Sequence, residues 1–394
     1  MNYDYSSGPG SPSSLRHANQ RRILATLIDA GGLSQAEIAR RTGLAPATVS
    51  NIVRELSTAG ILQLTAEAAG RRGRVIRFAA GIGYAAGISL ERKSVRVGLA
   101  TLDHTVIGTR TRELPPGYAP DLGLRTAREV LDELRDELDV SKAQTVACCL
   151  TLATMLSPDG QVLSSQHALA GWSNTPLASM AEQAFEQEVL VENDANAGVL
   201  AEHTWGRAQD VNNVLYVHIS NGIGAGIMID GKVLKGMSGT AGEIGHLAVP
   251  TSSQQCLCGN TGCLETAASV PAVLGTLASL GQPADSVTEI VTRIQSGDAL
   301  CQRLIIDMGL TLGHALAAVV NTINPSMIII GGEGALAGDY LLTPTRTALE
   351  RLTVPGSCEK LVVTTSSLGA EAPLHGALAM GVNSVDLDAI LQGV

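Results

Sequence analysis

Within 18 positions the chain places one imidazole and three thiols: His246, Cys256, Cys258 and Cys263. That count and chemistry satisfy a closed tetrahedral structural zinc site, and four ligands so close in sequence leave the backbone few paths between them. Gly259 and Gly262 lie between the thiols, where such spacing demands sharp turns. The remaining cysteines of the seven, Cys148, Cys149, Cys301 and Cys358, follow no spacing rule and read as small core hydrophobes. An odd, irregular set in a long chain argues against a disulfide framework and for a reducing cytoplasm.

At 394 residues the chain is long enough for two or three compact units. No uninterrupted apolar run reaches the roughly 18 residues of a membrane span, so a soluble protein with no membrane partner is expected. Residues 1–15 lack the basic start and apolar stretch of a secretion signal and read as a flexible tail. The net charge of -10 would by itself argue against nucleic acid, but its distribution reverses that inference. Residues 16–80 carry ten arginines, no lysine and four acids, a balance of +6, whereas residues 81–394 stand at -15.

The basic segment has the period of three helices. Ile23, Leu24, Leu27 and Ile28 form one apolar face, stopped by Gly31-Gly32. Ser34 and Glu37 stand in capping-box positions ahead of a short second helix. Pro46 then opens a third, with Val49, Ile52, Val53 and Leu56 as its buried stripe. On its other face Thr48, Ser50, Asn51 and Arg54 are candidates for contacting double-stranded DNA in a major groove. Two short strands, Ile61–Leu64 and Val75–Phe78, flank a Gly-Arg-Arg-Gly-Arg tip. Arg71, Arg72 and Arg74 there are suited to a narrow minor groove. Residues 16–80 are thus expected to be a winged helix-turn-helix DNA-binding domain.

Beyond residue 80, apolar runs alternate with helical segments, which implies an α/β domain with buried strands. The runs are 84–90, 95–102, 146–152, 189–191, 214–219, 227–229 and 327–330. Asn193 and Asp194 stand at a strand-to-helix junction, where Asp194 offers an acceptor to a polyol hydroxyl and an Asn-Asp pair also serves as a helix cap. Ser220–Ile227 is a glycine-spaced turn, either lining a cleft or closing a plain hairpin. Asn324–Gly334 is a strand running into a glycine turn.

Together these motifs, above all Gly242-Glu243-Ile244-Gly245-His246 followed by Cys256–Glu265, resemble the ROK family, named for its repressors, open reading frames and kinases. The resemblance covers essentially everything from residue 16 onward. It implies a two-lobed actin-like (sugar-kinase, ribonuclease-H-like) effector domain over 81–394, zinc held within 246–263, and a monosaccharide pocket lined by Asn193, Asp194, Glu243, His246 and Glu265. Asp194 falls where the kinase branch has its catalytic base. At Gly87–Lys93, however, where family kinases carry an Asp-x-Gly-Gly-Thr phosphate loop, Ser89 replaces the carboxylate and Glu91 a glycine. Added bulk and negative charge oppose a polyphosphate. The expectation is a sugar-responsive transcriptional regulator, a homodimer or homotetramer on a DNA operator, with no catalytic residues. The alternative is an ATP-dependent sugar kinase carrying a DNA-binding arm.

Overall fold

The computed structural model describes residues 12–66, 74–164, 169, 171–250 and 252–392. The wing tip with Arg71 and Arg72 lies outside them, as does the side chain of Arg74. The N-terminal unit comprises α1 (Pro12–Ala30), α2 (Gln35–Thr42), α3 (Pro46–Thr58), β1 (Leu62–Ala66) and β2 (Arg74–Phe78). Ser34 Oγ accepts from the Glu37 amide while the Glu37 carboxylate accepts from the Ser34 amide, the expected reciprocal cap. Gly43, at φ 70°, ends α2. β1 and β2 pair antiparallel, and Leu33 adds a bridge to Ile76.

One boundary differs from expectation. Residues 12–15, assigned from sequence to the flexible tail, form the first turn of α1. Proline suits a first turn, where its missing amide hydrogen costs no helical bond. Ion pairs that no local pattern reveals hold the next residues: Arg16 to Glu55 of α3, and Arg21 to Asp388 near the C-terminus at 3.1 Å.

The first lobe runs β3 (Tyr84–Leu90), β4 (Ser94–Thr101), β5 (Val106–Glu113), α4 (Pro120–Leu138), β6 (Thr145–Leu152), β7 (Met155–Leu156), β8 (Val162–Ser164), α5 (Leu177–Phe185) and β9 (Leu190–Asn193). Its five-stranded sheet has the order β5-β4-β3-β6-β9, an antiparallel meander joined to two parallel strands. Next comes α6 (Asp194–Thr204).

The second lobe comprises β10 (Val214–Ile219), β11 (Ile223–Ile229), β12 (Lys232–Val233), α7 (Glu265–Ala268), α8 (Val270–Ser279), α9 (Val287–Gln295), α10 (Ala299–Ile323), β13 (Met327–Gly331), α11 (Asp339–Leu352) and β14 (Val362–Thr365). Its sheet order, β12-β11-β10-β13-β14, repeats the first lobe's topology strand for strand. The chain ends in α12 (Ala372–Asn383) and α13 (Leu387–Gln392). By length and composition α10 would suffice to cross a membrane, but more than half of its most apolar stretch is buried in the second lobe, where Ile305, Leu312 and Leu316 enter the core.

Several strands escaped the sequence reading for a common reason. β5 is amphipathic and half exposed, and β14 is a four-residue edge, so neither presents an apolar run. Most of the supposed Ser220–Ile227 turn is strand: only Ser220–Gly222 turns, and β11 begins at Ile223. Cys148, Cys149 and Cys301 are buried as expected, but Cys358 is only half-buried.

The units meet on two helices. α6 packs on β10 and β11 of the second lobe, α12 packs on β3 and β6 of the first, and the two helices pack on each other. A Cβ at Gly376 of α12 would stand 2.1 Å from the Ala197 carbonyl oxygen of α6, so this contact is backbone on backbone. Leu374, Leu378 and Val382 of α12 continue into the core formed by Ile23, Leu27 and Val53 of the N-terminal unit. Gly376→Ala is therefore expected to force the helices apart at a cost of about 1–3 kcal/mol, read as a lowered midpoint in thermal or urea unfolding. An unchanged midpoint would show that the crossing is not close-packed.

Candidate effector cleft and DNA-facing helix

A cleft of about 960 Å³ opens between the lobes, with Ser89, Asn193 and Asp194 on one wall and Ser220, Glu243 and Glu265 on the other. The end of β9 delivers Asn193 and Asp194 to it. Asn193 Oδ1 accepts from the amides of Ala195 (2.8 Å) and Asn196 (3.2 Å), capping α6, and its Nδ2 donates to the Thr154 carbonyl at 3.1 Å. Much of its hydrogen-bonding capacity is thus spent on structure. Asp194, in the first helical turn, faces the cleft.

The Gly242–His246 segment lies flat on β11. A Cβ at Gly242, which also holds φ 94°, would meet the Ala225 carbonyl oxygen at 1.9 Å, and one at Gly245 the Ile223 oxygen at 2.1 Å. Only glycine fits either position, and the close approach turns Glu243 and His246 toward the cleft. Burial, reinforced by the carboxylates of Asp194 and Glu265, pushes the Glu243 carboxyl up to about 7. Near neutral pH it can therefore donate a hydrogen bond as well as accept one.

His246, Cys256, Cys258 and Cys263 come together with their ligand atoms all within 4.8 Å of one another, a cluster able to hold a metal ion. His246 Nδ1 is 3.6 Å from Cys256 Sγ, and Cys258 Sγ is 3.6 Å from Cys263 Sγ. The Cys256 amide donates to the Asn260 carbonyl at 2.7 Å and Gly259 turns at φ 93°, folding the loop on itself. Glu265 joins cluster and cleft: its Oε1 accepts from the Cys256 thiol at 2.8 Å and lies 3.5 Å from His246 Nδ1.

Facing the cleft from the first lobe, Glu91 is held by Ser94 Oγ at 2.7 Å and Arg96 Nε at 2.8 Å, and Arg96 also pairs with Glu371. Across the mouth, Arg92 donates to Asn221 Oδ1 at 3.0 Å. On α3, Val49, Ile52, Val53 and Leu56 are buried, Thr48 and Ser50 half-buried, and Asn51 and Arg54 exposed. Arg54 donates to Asn51 Oδ1 at 2.8 Å, which orders the pair on the helix surface.

Two groups that sequence reasoning did not single out also belong to this region. Buried Glu192 receives the Asn193 amide, Asn196 Nδ2 and, from the second lobe, Lys235 Nζ at 2.5 Å. His218, on β10, lies 3.7 Å from Asp194. The first sits inside a strand and the second inside an apolar run, so neither carries a motif; alternation along β10 was the one available signal for His218.

Comparison with known proteins places this geometry. Over 393 residues, 95% of this chain and 98% of the relative, it is 27% identical to the xylose repressor of Caldicellulosiruptor bescii. Over 387 residues, 94% of each, it is 28% identical to the N-acetylglucosamine repressor of Escherichia coli O157:H7. The crystal structure of a ROK family transcriptional regulator, a homologue of the E. coli MLC protein, superposes with a TM-score of 0.80 at 27% identity, covering 96% of this chain and 100% of that one. A winged helix-turn-helix DNA-binding profile matches residues 16–63. The profile of the ROK family matches residues 86–383, through both lobes and the cleft between them, and the chain therefore belongs to the ROK family.

Proposed function

We propose that this chain is a cytoplasmic transcriptional repressor that binds a double-stranded DNA operator as a dimer or tetramer and changes its DNA affinity when a monosaccharide occupies the interlobe cleft. The observation that carries this reading is the continuous packing from cleft to DNA-binding unit. Asp194 begins α6, α6 crosses α12 at Gly376, and α12 shares its core with α1 and α3. A ligand that prefers one lobe arrangement by about 1–3 kcal/mol would bias the N-terminal unit by at most that free energy. The names of the two repressor relatives support a sugar as the signal. In this reading Asn193, Asp194, Glu243, His246 and Glu265 bind it, while Thr48, Ser50, Asn51, Arg54, Arg71, Arg72 and Arg74 face DNA.

The kinase alternative is disfavoured by the β3–β4 turn. Ser89 offers no carboxylate for metal-bound phosphates, and Glu91, fixed by Ser94 and Arg96, adds negative charge there. Asp194 then serves as a hydrogen-bond acceptor for the sugar. The purified protein is expected to select specific fragments of genomic DNA at physiological salt, and one of xylose, glucose or N-acetylglucosamine should change that affinity by about 5- to 150-fold. ATP and magnesium should yield no sugar-dependent ADP. Sugar-dependent ADP release abolished by Asp194→Asn would establish the kinase instead. Absence of any DNA preference would remove the regulator.

Zinc fits the His246 cluster. A tetrahedral ion with Zn–S near 2.3 Å and Zn–N near 2.05 Å has S···S and S···N edges of about 3.8 and 3.6 Å. The Cys258 Sγ–Cys263 Sγ and Cys256 Sγ–His246 Nδ1 separations are both 3.6 Å, and all four ligand atoms lie within 4.8 Å of one another. When bound, zinc would be held by His246, Cys256, Cys258 and Cys263 and would supply a structural cross-link that orients the His246 ring. The Nε2 edge, 3.9 Å from Glu243, is left for the cleft. Fresh protein should contain about one equivalent of zinc, and Cys256→Ser should lose it together with the sugar response. Less than about half an equivalent in the wild type would refute the site. Neutralising Arg71, Arg72 or Arg74 should weaken DNA binding and reduce its salt slope by about one for each phosphate no longer neutralised. An unchanged slope would take the wing out of the interface.

A further inference from the structure

β10 alternates strictly. Leu215, Val217 and Ile219 enter the second lobe's main core, while Val214 and Tyr216 face α6, packing with Ala195 and Val199. His218 continues the second row, two residues nearer the cleft, and is the member of that row that reaches the cleft wall. Its cross-strand neighbours are Gly224 on β11 and Gly331 on β13, so neither register partner sets a side chain beside the ring. Tyr216 stands behind it, the ring centroids 6.3 Å apart.

The two ring nitrogens have different surroundings. Nδ1 is shut off from solvent with no hydrogen-bond partner among the described residues. Nε2 faces Asp194, 3.7 Å from Oδ2. A bare acceptor is tolerated in such a place better than a stranded N–H, which puts the proton of the neutral ring on Nε2. At 3.7 Å the pair is too far apart to be hydrogen-bonded to itself. It is near enough for a single oxygen to sit within bonding distance of both atoms. A hydroxyl is matched to that gap, since it donates one hydrogen to a carboxylate while accepting one from an imidazole.

We infer that His218 is a specificity-determining residue of the cleft: its Nε2–H and the Asp194 carboxylate hold one ligand hydroxyl between them. This rests on the sugar-cleft reading above and adds to it a side chain that tells a hydroxyl from a hydrogen or an apolar substituent at one ring position. The donor is what matters. Phenylalanine would keep the ring and its packing without the donor, whereas glutamine places an amide N–H where Nε2 stands.

The test is calorimetric titration of wild type, His218→Phe and His218→Gln, each zinc-loaded, with xylose, glucose and N-acetylglucosamine, alongside melting curves without sugar. For the sugar that binds wild type, His218→Phe should bind at least about tenfold more weakly and His218→Gln within about threefold of wild type. The sugar-free melting temperatures of all three should agree within about 2 °C. Undiminished binding by His218→Phe would overturn the assignment. So would His218→Gln binding as weakly as His218→Phe, because shape and not the donor would then be at issue. A sugar-free melting temperature lowered in step with affinity would reduce His218 to a packing residue. If wild type gives no heat with any of the three sugars, the sugar-cleft reading itself falls and this assignment with it.

Discussion

The crossing of α6 and α12 is the contact on which the rest of the molecule depends. Gly376 lies against the Ala197 carbonyl, close enough that no side chain fits between the helices. Each helix is committed to a different sheet, α6 to β10 and β11 and α12 to β3 and β6, so the crossing couples the lobes directly. Packed interiors resist continuous deformation, and a close backbone contact transmits a displacement instead of absorbing it. The same α12 supplies Leu374, Leu378 and Val382 to the core of the N-terminal unit, which therefore docks on the first lobe and is not tethered to it by a linker alone.

Electrostatics shape the cleft differently at its two ends. Around Asp194, Glu243 and Glu265 three carboxylates share one wall, and desolvation together with their mutual repulsion pushes the Glu243 carboxyl up to about 7. Such a wall suits a neutral polyol, whose hydroxyls satisfy donors and acceptors alike, better than an anion. At the β3–β4 turn a single cation, Arg96, pairs with both Glu91 and Glu371, and Arg92 donates to the neutral amide of Asn221. The cluster of His246, Cys256, Cys258 and Cys263 adjoins the carboxylate end through His246 and Glu265, so loop geometry and pocket geometry are one problem.

The sequence by itself determined the elements whose signals are local. The Ser34–Glu37 cap, Pro46, the Val49–Leu56 stripe and the charge split between residues 16–80 and 81–394 announced the DNA-binding unit, because helix starts, stops and faces are set within a turn or two of chain. The His246–Cys263 spacing determined a loop able to hold a metal ion, since four donors within 18 positions leave few geometries open. Strands buried on both faces, such as β3 and β10, were legible as apolar runs.

Only the tertiary structure decided the rest. In sequence Asn193 reads by itself as a helix cap and by resemblance as a sugar ligand; in the fold its oxygen caps α6. His218 sits inside an apolar run and becomes distinctive only when α6 brings Asp194 to within 3.7 Å. The partners that order the start of α1 are Glu55 and Asp388, and the Lys235–Glu192 pair joins the two lobes. Such pairings are invisible to local pattern because chain separation carries no information about which surfaces meet. That is settled by close packing, here by the crossing of α6 and α12 at Ala197 and Gly376.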